Sequence, residues 1–151
     1  MTELVDGIHL RRYGAGSRTA VLLHGLLGSS SNWANLAPDL SSRHPDYTFL
    51  CPDARNHGLS AHRELHSYEE MASDVTMLLD REGARSAVLI GHSMGGMTAM
   101  VANHLFPEQV SALAVLDFAP RAYTSANRPI LEAMARVDPI NKLRHTLQTP
   151  T

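Results

Sequence analysis

Val88-Leu89-Ile90-Gly91-His92-Ser93-Met94-Gly95-Gly96-Met97 is the stretch that decides the reading of this chain. An apolar, β-branched run breaks into Gly-x-Ser-x-Gly and passes directly into Thr98-Ala99-Met100-Val101-Ala102, whose residues suit a helix. The pattern predicts a strand, a sharp turn and a helix. A serine at such a turn is forced into a strained backbone conformation that lifts its hydroxyl above the sheet edge, while the flanking glycines let neighbouring backbone pass without a Cβ clash. Ser93 is therefore the candidate nucleophile. The pentapeptide alone arises by chance in about one chain of this length in twenty, so the weight rests on the apolar run before it and the third glycine and helix formers after it.

Outward from this turn, further elements follow from pattern. Thr19-Ala20-Val21-Leu22-Leu23 and Tyr47-Thr48-Phe49-Leu50-Cys51 are short continuous apolar runs, as expected of strands buried on both faces, and Leu113-Ala114-Val115-Leu116 is expected to be another buried strand. Asp6-Gly7 between Leu4-Val5 and Ile8-His9-Leu10 predicts an N-terminal hairpin. Trp33, Leu36 and Leu40 mark a short helix behind the caps offered by Ser29-Ser30-Ser31-Asn32. Ser67-Tyr68-Glu69-Glu70 reads as a capping box opening a helix whose Met71, Val75, Leu78 and Leu79 form one stripe, closed by Gly83. The helix after Ser93 must stop at Pro107.

Strands alternating with helices argue an α/β fold with a mostly parallel sheet, helices on both faces and functional groups beyond the carboxyl ends of the strands. His24, Asp53, Ser93 and Asp117 all fall at such ends. From Phe118 the texture changes to two amphipathic patterns, one opened by Asn127-Arg128-Pro129 and one by Asp138-Pro139. The expected organisation is a core over 1–117 and the beginning of a helical lid over 118–151.

Composition narrows the function classes. A net charge of −2 provides no basic face for nucleic acid or anionic lipid. The single cysteine, Cys51, excludes an internal disulfide and reads as a buried small hydrophobe. The N-terminus lacks the basic and apolar regions of a secretory signal, and no stretch has the length of a membrane span. The expectation is a cytoplasmic protein, or a mitochondrial one if a transit peptide has been removed. Nine histidines are present, but the His62/His66 pair lies in a loop before the Ser67 cap, so no metal is expected. Gly14-Ala15-Gly16 has no helix after it and does not fit a phosphate loop. No cofactor is expected.

His24-Gly25 after a strand, Asp53-Ala54-Arg55-Asn56-His57-Gly58-Leu59-Ser60, Gly91-His92-Ser93-Met94-Gly95-Gly96 and Pro107-Glu108-Gln109-Val110 followed by Leu116-Asp117-Phe118-Ala119-Pro120 together resemble the α/β-hydrolase superfamily. Within it, the chain most resembles the small YbfF-type esterases and their mitochondrial relatives. The resemblance implies Ser93 as nucleophile, backbone amides of Met94 and Leu26 as an oxyanion hole, and Asp117 as the acid. It implies a small-molecule carboxylic ester with a short or medium acyl chain as substrate. A member of the family would continue past Thr151 with more lid, further strands and a loop bearing the catalytic histidine.

The triad order in this fold is serine, acid, histidine. Downstream of Asp117 only His145 qualifies, and its place beside Arg144 and Thr146 reads as solvent-facing. His24, His57 and His92 are nearer the turn but read as residues that shape the pocket. The 151 residues by themselves are expected to be weakly active or inactive, because loss of a triad member leaves only about 10³- to 10⁴-fold catalysis. A serine at position 93 argues against epoxide hydrolases and haloalkane dehalogenases, which need aspartate there; perhydrolase and carbon–carbon hydrolase chemistries share the fold. The alternative is a non-catalytic chain that binds a ligand or partner, with an exposed apolar sheet edge.

Overall fold

A computed structural model of the chain describes residues 1–117. The expected hairpin is formed by β1 (Thr2–Val5) and β2 (Ile8–Tyr13), joined through Asp6 and Gly7 at φ 47° and 83°. Two left-handed residues in succession match the twist of the strands they connect. β3 (Arg18–Leu23), β4 (Tyr47–Pro52), β5 (Ala87–His92) and β6 (Val110–Leu116) complete a six-stranded sheet in the order β1-β2-β4-β3-β5-β6. β2 runs antiparallel to β1 and β4, and the other pairings are parallel.

Alternation along the strands divides the apolar side chains between two cores. Val21, Leu23, Leu50 and Leu89 face Val75, Leu78 and Leu79 of α2 (Tyr68–Arg81) and Ala99 and Ala102 of α3 (Met94–Leu105). Ala20, Leu22, Phe49 and Cys51 face the other way, toward Trp33 and Ala37 of α1 (Leu36–Arg43). Full burial contributes about 1.5–3 kcal/mol per large aliphatic side chain, which fixes the sheet between helices on both faces. Burial also pushes the Cys51 thiol up to about 12, so it packs as an inert apolar group.

Three expectations need correction. The short helix begins later than the Trp33-Leu36-Leu40 spacing suggests. Ser29 and Asn32 close a capping box around a 3-10 turn, Ser30–Trp33, and α1 starts only at Leu36. The break in phase turns Leu36 outward and puts Ala37 in the core. The second correction concerns the start of α2. The Ser67 hydroxyl accepts the Glu70 amide at 3.3 Å, but the Glu70 carboxylate turns to Arg55 at 2.5 Å rather than back to the cap. The third concerns β6, which among the described residues is an edge of the sheet, as the reading with an exposed apolar edge expects, and not a strand buried on both sides: Leu113 and Leu116 are 38% and 43% exposed.

α3 lies unusually close to the end of β3. A Cβ at Gly95 would collide with the Leu23 carbonyl oxygen, so only glycine permits this approach. The N-terminus of α3 is thereby set directly beside the residues that leave β3.

Candidate active site

Strand register assembles the site. Leu23 pairs with Gly91, and His92 pairs with Leu116. The segments leaving β3, β5 and β6, namely His24-Gly25-Leu26, Ser93-Met94 and Asp117, therefore emerge side by side at one end of the sheet.

Ser93 has φ 51° and ψ −112°, a conformation costing a non-glycine residue about 1–3 kcal/mol. Its amide donates to Leu116 O at 3.0 Å, and its carbonyl accepts the Met97 amide at 3.1 Å. The backbone is held on both sides, which is how a strained residue persists. Although serine is a favoured N-cap, the Ser93 hydroxyl makes no capping bond to α3. It sits at a helix N-terminus whose dipole favours negative charge.

Leu26 and Leu27 are the central residues of a turn closed by the Gly28 amide on Gly25 O at 3.0 Å, with Leu27 at φ 60°. Among the described residues, the Leu26 and Met94 amides have no backbone acceptor. The turn is packed against the segment that leads into Ser93, since a Cβ at Gly25 would lie 2.9 Å from His92 Nδ1. A cavity of about 30 Å³ behind Met94, lined in part by His24, Val75 and Thr98, is far too small for an ester substrate.

Asp117, at φ 54°, occupies the position on β6 equivalent to Ser93 on β5. Its side chain is 90% exposed, and its Oδ2 lies 3.8 Å from His92 Nε2. His92 thus lies between Gly25 of the turn and the Asp117 carboxylate. Sequence reasoning gave it no such place. His145 and the remainder of 118–151, including the expected lid helices, lie outside the described residues.

Asp53, placed by the sequence only at a strand end, and His24, read as shaping the pocket, are both buried centres of hydrogen bonding. Asp53 is 1% exposed. Its Oδ1 accepts the Ser30 amide at 2.5 Å, its Oδ2 accepts the Leu59 amide at 2.8 Å, and His9 Nδ1 lies 2.9 Å from Oδ2. Burial pushes this carboxyl up, but the Leu59 and Ser30 amides and His9 outweigh it and hold it below its ordinary value. His24 is buried as well; its Nε2 accepts the Ala54 amide at 2.9 Å and its Nδ1 lies 2.8 Å from Gly25 O. That pair of contacts selects the neutral tautomer with the proton on Nδ1. Burial lowers the His24 pKa, with the Gly25 carbonyl opposing.

Arg55 anchors the following loop through bonds to Asp74 at 2.6 and 2.8 Å and to Glu70 at 2.5 Å. The available sequence signal was a strand-end aspartate followed within two residues by an arginine, opposite acidic residues on the next helix. Among the described residues, no group of three or more histidines, cysteines or carboxylates is placed to hold a metal ion. No helix among them is long and apolar enough to cross a membrane.

Comparison with known proteins agrees with this geometry. A family model described as alpha/beta hydrolase fold matches residues 20–138. A Mus musculus protein named sn-1-specific diacylglycerol lipase is 40% identical over 128 residues, 83% of this chain and 41% of that protein. The Escherichia coli esterase YbfF is 40% identical over 103 residues, 68% of this chain and 39% of its own length. A solved marine microorganism esterase superposes with a TM-score of 0.78 at 36% identity, covering 87% of this chain and 52% of that one. The chain spans about two-fifths of the length of these curated relatives. With its mostly parallel six-stranded sheet, its Ser93 turn and these matches, the chain belongs to the α/β-hydrolase fold family.

Proposed function

We propose that this chain carries the nucleophile, oxyanion hole and acid of a serine hydrolase acting on carboxylic esters with a short or medium acyl chain. The observation that carries the reading is the Ser93 hydroxyl, held on a left-handed turn at a helix N-terminus and making no capping bond. Ser93 Oγ attacks the ester carbonyl carbon, and the carbonyl electron pair moves onto oxygen. The Leu26 and Met94 amides receive that oxyanion, and each such donor is worth about 3–4 kcal/mol in related hydrolases. The serine proton passes to a histidine that Asp117 orients, and that histidine then protonates the departing alcohol. Water attacks the acyl-serine in the same manner and restores Ser93.

In chain order the histidine belongs downstream of Asp117. His92, though 3.8 Å from Asp117 Oδ2, precedes Ser93 in the chain, and His9, His24 and His57 are engaged elsewhere. His24 holds the Ala54 amide, His57 Nδ1 sits 3.0 Å from Arg55 O, and His9 faces Asp53. A fluorophosphonate probe tests the reading directly. In a chain extended past Thr151 to include the downstream histidine, labelling that Ser93→Ala abolishes supports it, and absence of labelling there would sink it. The effect of His145→Gln on the labelling rate then decides whether His145 is the base.

The exposed apolar edge of β6 favours one other reading, a chain that pairs with a partner without turnover. Sedimentation separates the two: a monomer that labels at Ser93 supports the hydrolase, whereas an unlabelled self-associating chain supports the alternative.

A further inference from the structure

We propose that Asp53 and His24 are positioning residues that pin the turn carrying the Leu26 amide, one at each end. The turn leaves β3 at His24 and is complete by Ser30. At its start the His24 Nε2 accepts the Ala54 amide; at its finish the Ser30 amide donates to Asp53 Oδ1. Both tethers therefore end on the adjacent residues Asp53 and Ala54, just beyond β4. These are themselves fixed, because Asp53 donates its amide to His9 O at 2.8 Å and its carbonyl accepts the Ser60 hydroxyl at 2.7 Å.

Between the tethers the chain holds a conformation that it would not keep unaided. Leu27 sits at φ 60° and is 70% exposed, so side-chain packing does not impose the left-handed backbone. One internal bond, Gly28 N–H to Gly25 O, closes the turn. Free of either tether, Leu27 relaxes toward negative φ, and the Leu26 amide swings away from the Met94 amide. Two donors converge on one oxygen only while the β3 end and the β4 end stay in register. That register is set by one buried carboxylate and one buried neutral imidazole.

This inference rests on the oxyanion role proposed above for Leu26, and its test keeps the two separable. In a chain extended past Thr151 to include the downstream histidine, the rate of Ser93 phosphonylation by a fluorophosphonate and amide hydrogen exchange over residues 25–30 are measured together. The variants are Asp53→Asn, His24→Gln and His24→Leu. Asp53→Asn replaces an acceptor oxygen with a donor; misplacement of a reacting group by about 1 Å costs on the order of 100-fold, and the labelling rate is expected to fall by that order well below the melting temperature. Exchange at Leu26 to Ser30 rises with it. His24→Gln keeps an acceptor near the Ala54 amide and stays within about threefold of the unaltered rate, whereas His24→Leu, lacking any acceptor, falls with Asp53→Asn.

A purely structural role would lower the melting temperature and leave the labelling rate of the folded chain unchanged; that result overturns the inference. Should Asp53→Asn not fold, the His24→Gln and His24→Leu pair decides alone. If the extended, otherwise unaltered chain does not label, the hydrolase reading fails, and exchange over 25–30 still decides whether these residues pin the turn.

Discussion

Asp53 and Asp117 stand in the same local setting, each an aspartate just past an apolar parallel strand at one end of the sheet. One is sealed inside with two backbone amides and a histidine around its carboxylate; the other is 90% exposed, with His92 at 3.8 Å as its neighbour. The difference comes from position in the sheet. β4 lies between β2 and β3, so its end is enclosed by the segment leaving β3, by its own following loop and by His9 of the antiparallel β2, and the carboxylate is consumed by Ser30, Leu59 and His9. Among the described residues β6 is an edge, and its aspartate has only His92 beside it. A buried, fully engaged carboxylate builds a site, whereas an exposed one at the same end of the sheet can serve in it.

The comparison can be broken at several points. Ser93→Ala has the largest expected effect, complete loss of fluorophosphonate labelling, and residual labelling would show that the strained turn does not present the nucleophile. Next comes Asp53→Ala, which strands the buried Ser30 and Leu59 amides. Each unsatisfied donor costs about 1–3 kcal/mol, so roughly 3 kcal/mol of destabilisation in urea is expected. Asp117→Ala changes stability by less than about 0.5 kcal/mol, as for other exposed sites. Equal losses for the two would erase the distinction.

Acid titration sharpens it. A carboxyl held below its ordinary value of 3.8 binds its proton more readily in the unfolded chain, so Asp53 contributes stability above about that pH and loses it as pH falls further. His24, whose pKa is lowered from 6.5 by burial beside His57, acts over a higher range. The unfolded state takes up the proton first, and stability declines as pH falls below about 6.5. His24→Gln should flatten that upper limb and Asp53→Asn the lower one, both read from urea midpoints. The smallest expected effect is the coupling between His92 and Asp117, below about 0.5 kcal/mol in a double-mutant cycle because the pair is exposed.

Much of this fold is legible in the chain because it depends on local pattern. Continuous apolar runs mark β3, β4 and β5. Asp6-Gly7 marks the hairpin, and the Met71 stripe marks α2. The strand-turn-helix at Ser93 is local as well, since its glycines and its β-branched approach are contiguous. What escaped the sequence depends on distant partners. The Ser30 tether to Asp53 spans 23 residues and the His9 amide bond to Ser60 spans 51, beyond any periodicity. Glu70 has the capping-box spacing, yet a buried Arg55 fifteen residues earlier takes its carboxylate. The burial of β6 is not legible for a related reason: composition marks a strand as apolar but does not say whether it has one neighbour or two.

The buried thiol of Cys51 turns the chain into its own unfolding reporter. It is the one cysteine in 151 residues, it has no exposed surface, and its thiol is held in the protonated, unreactive form. An alkylating reagent can modify it only when the Trp33–Phe49 side of the sheet opens. A single trapping reaction at Cys51 therefore counts openings of that core without any introduced label. The same reagent leaves Ser93 untouched, so the lifetime of the core and the reactivity of the site can be followed in one sample.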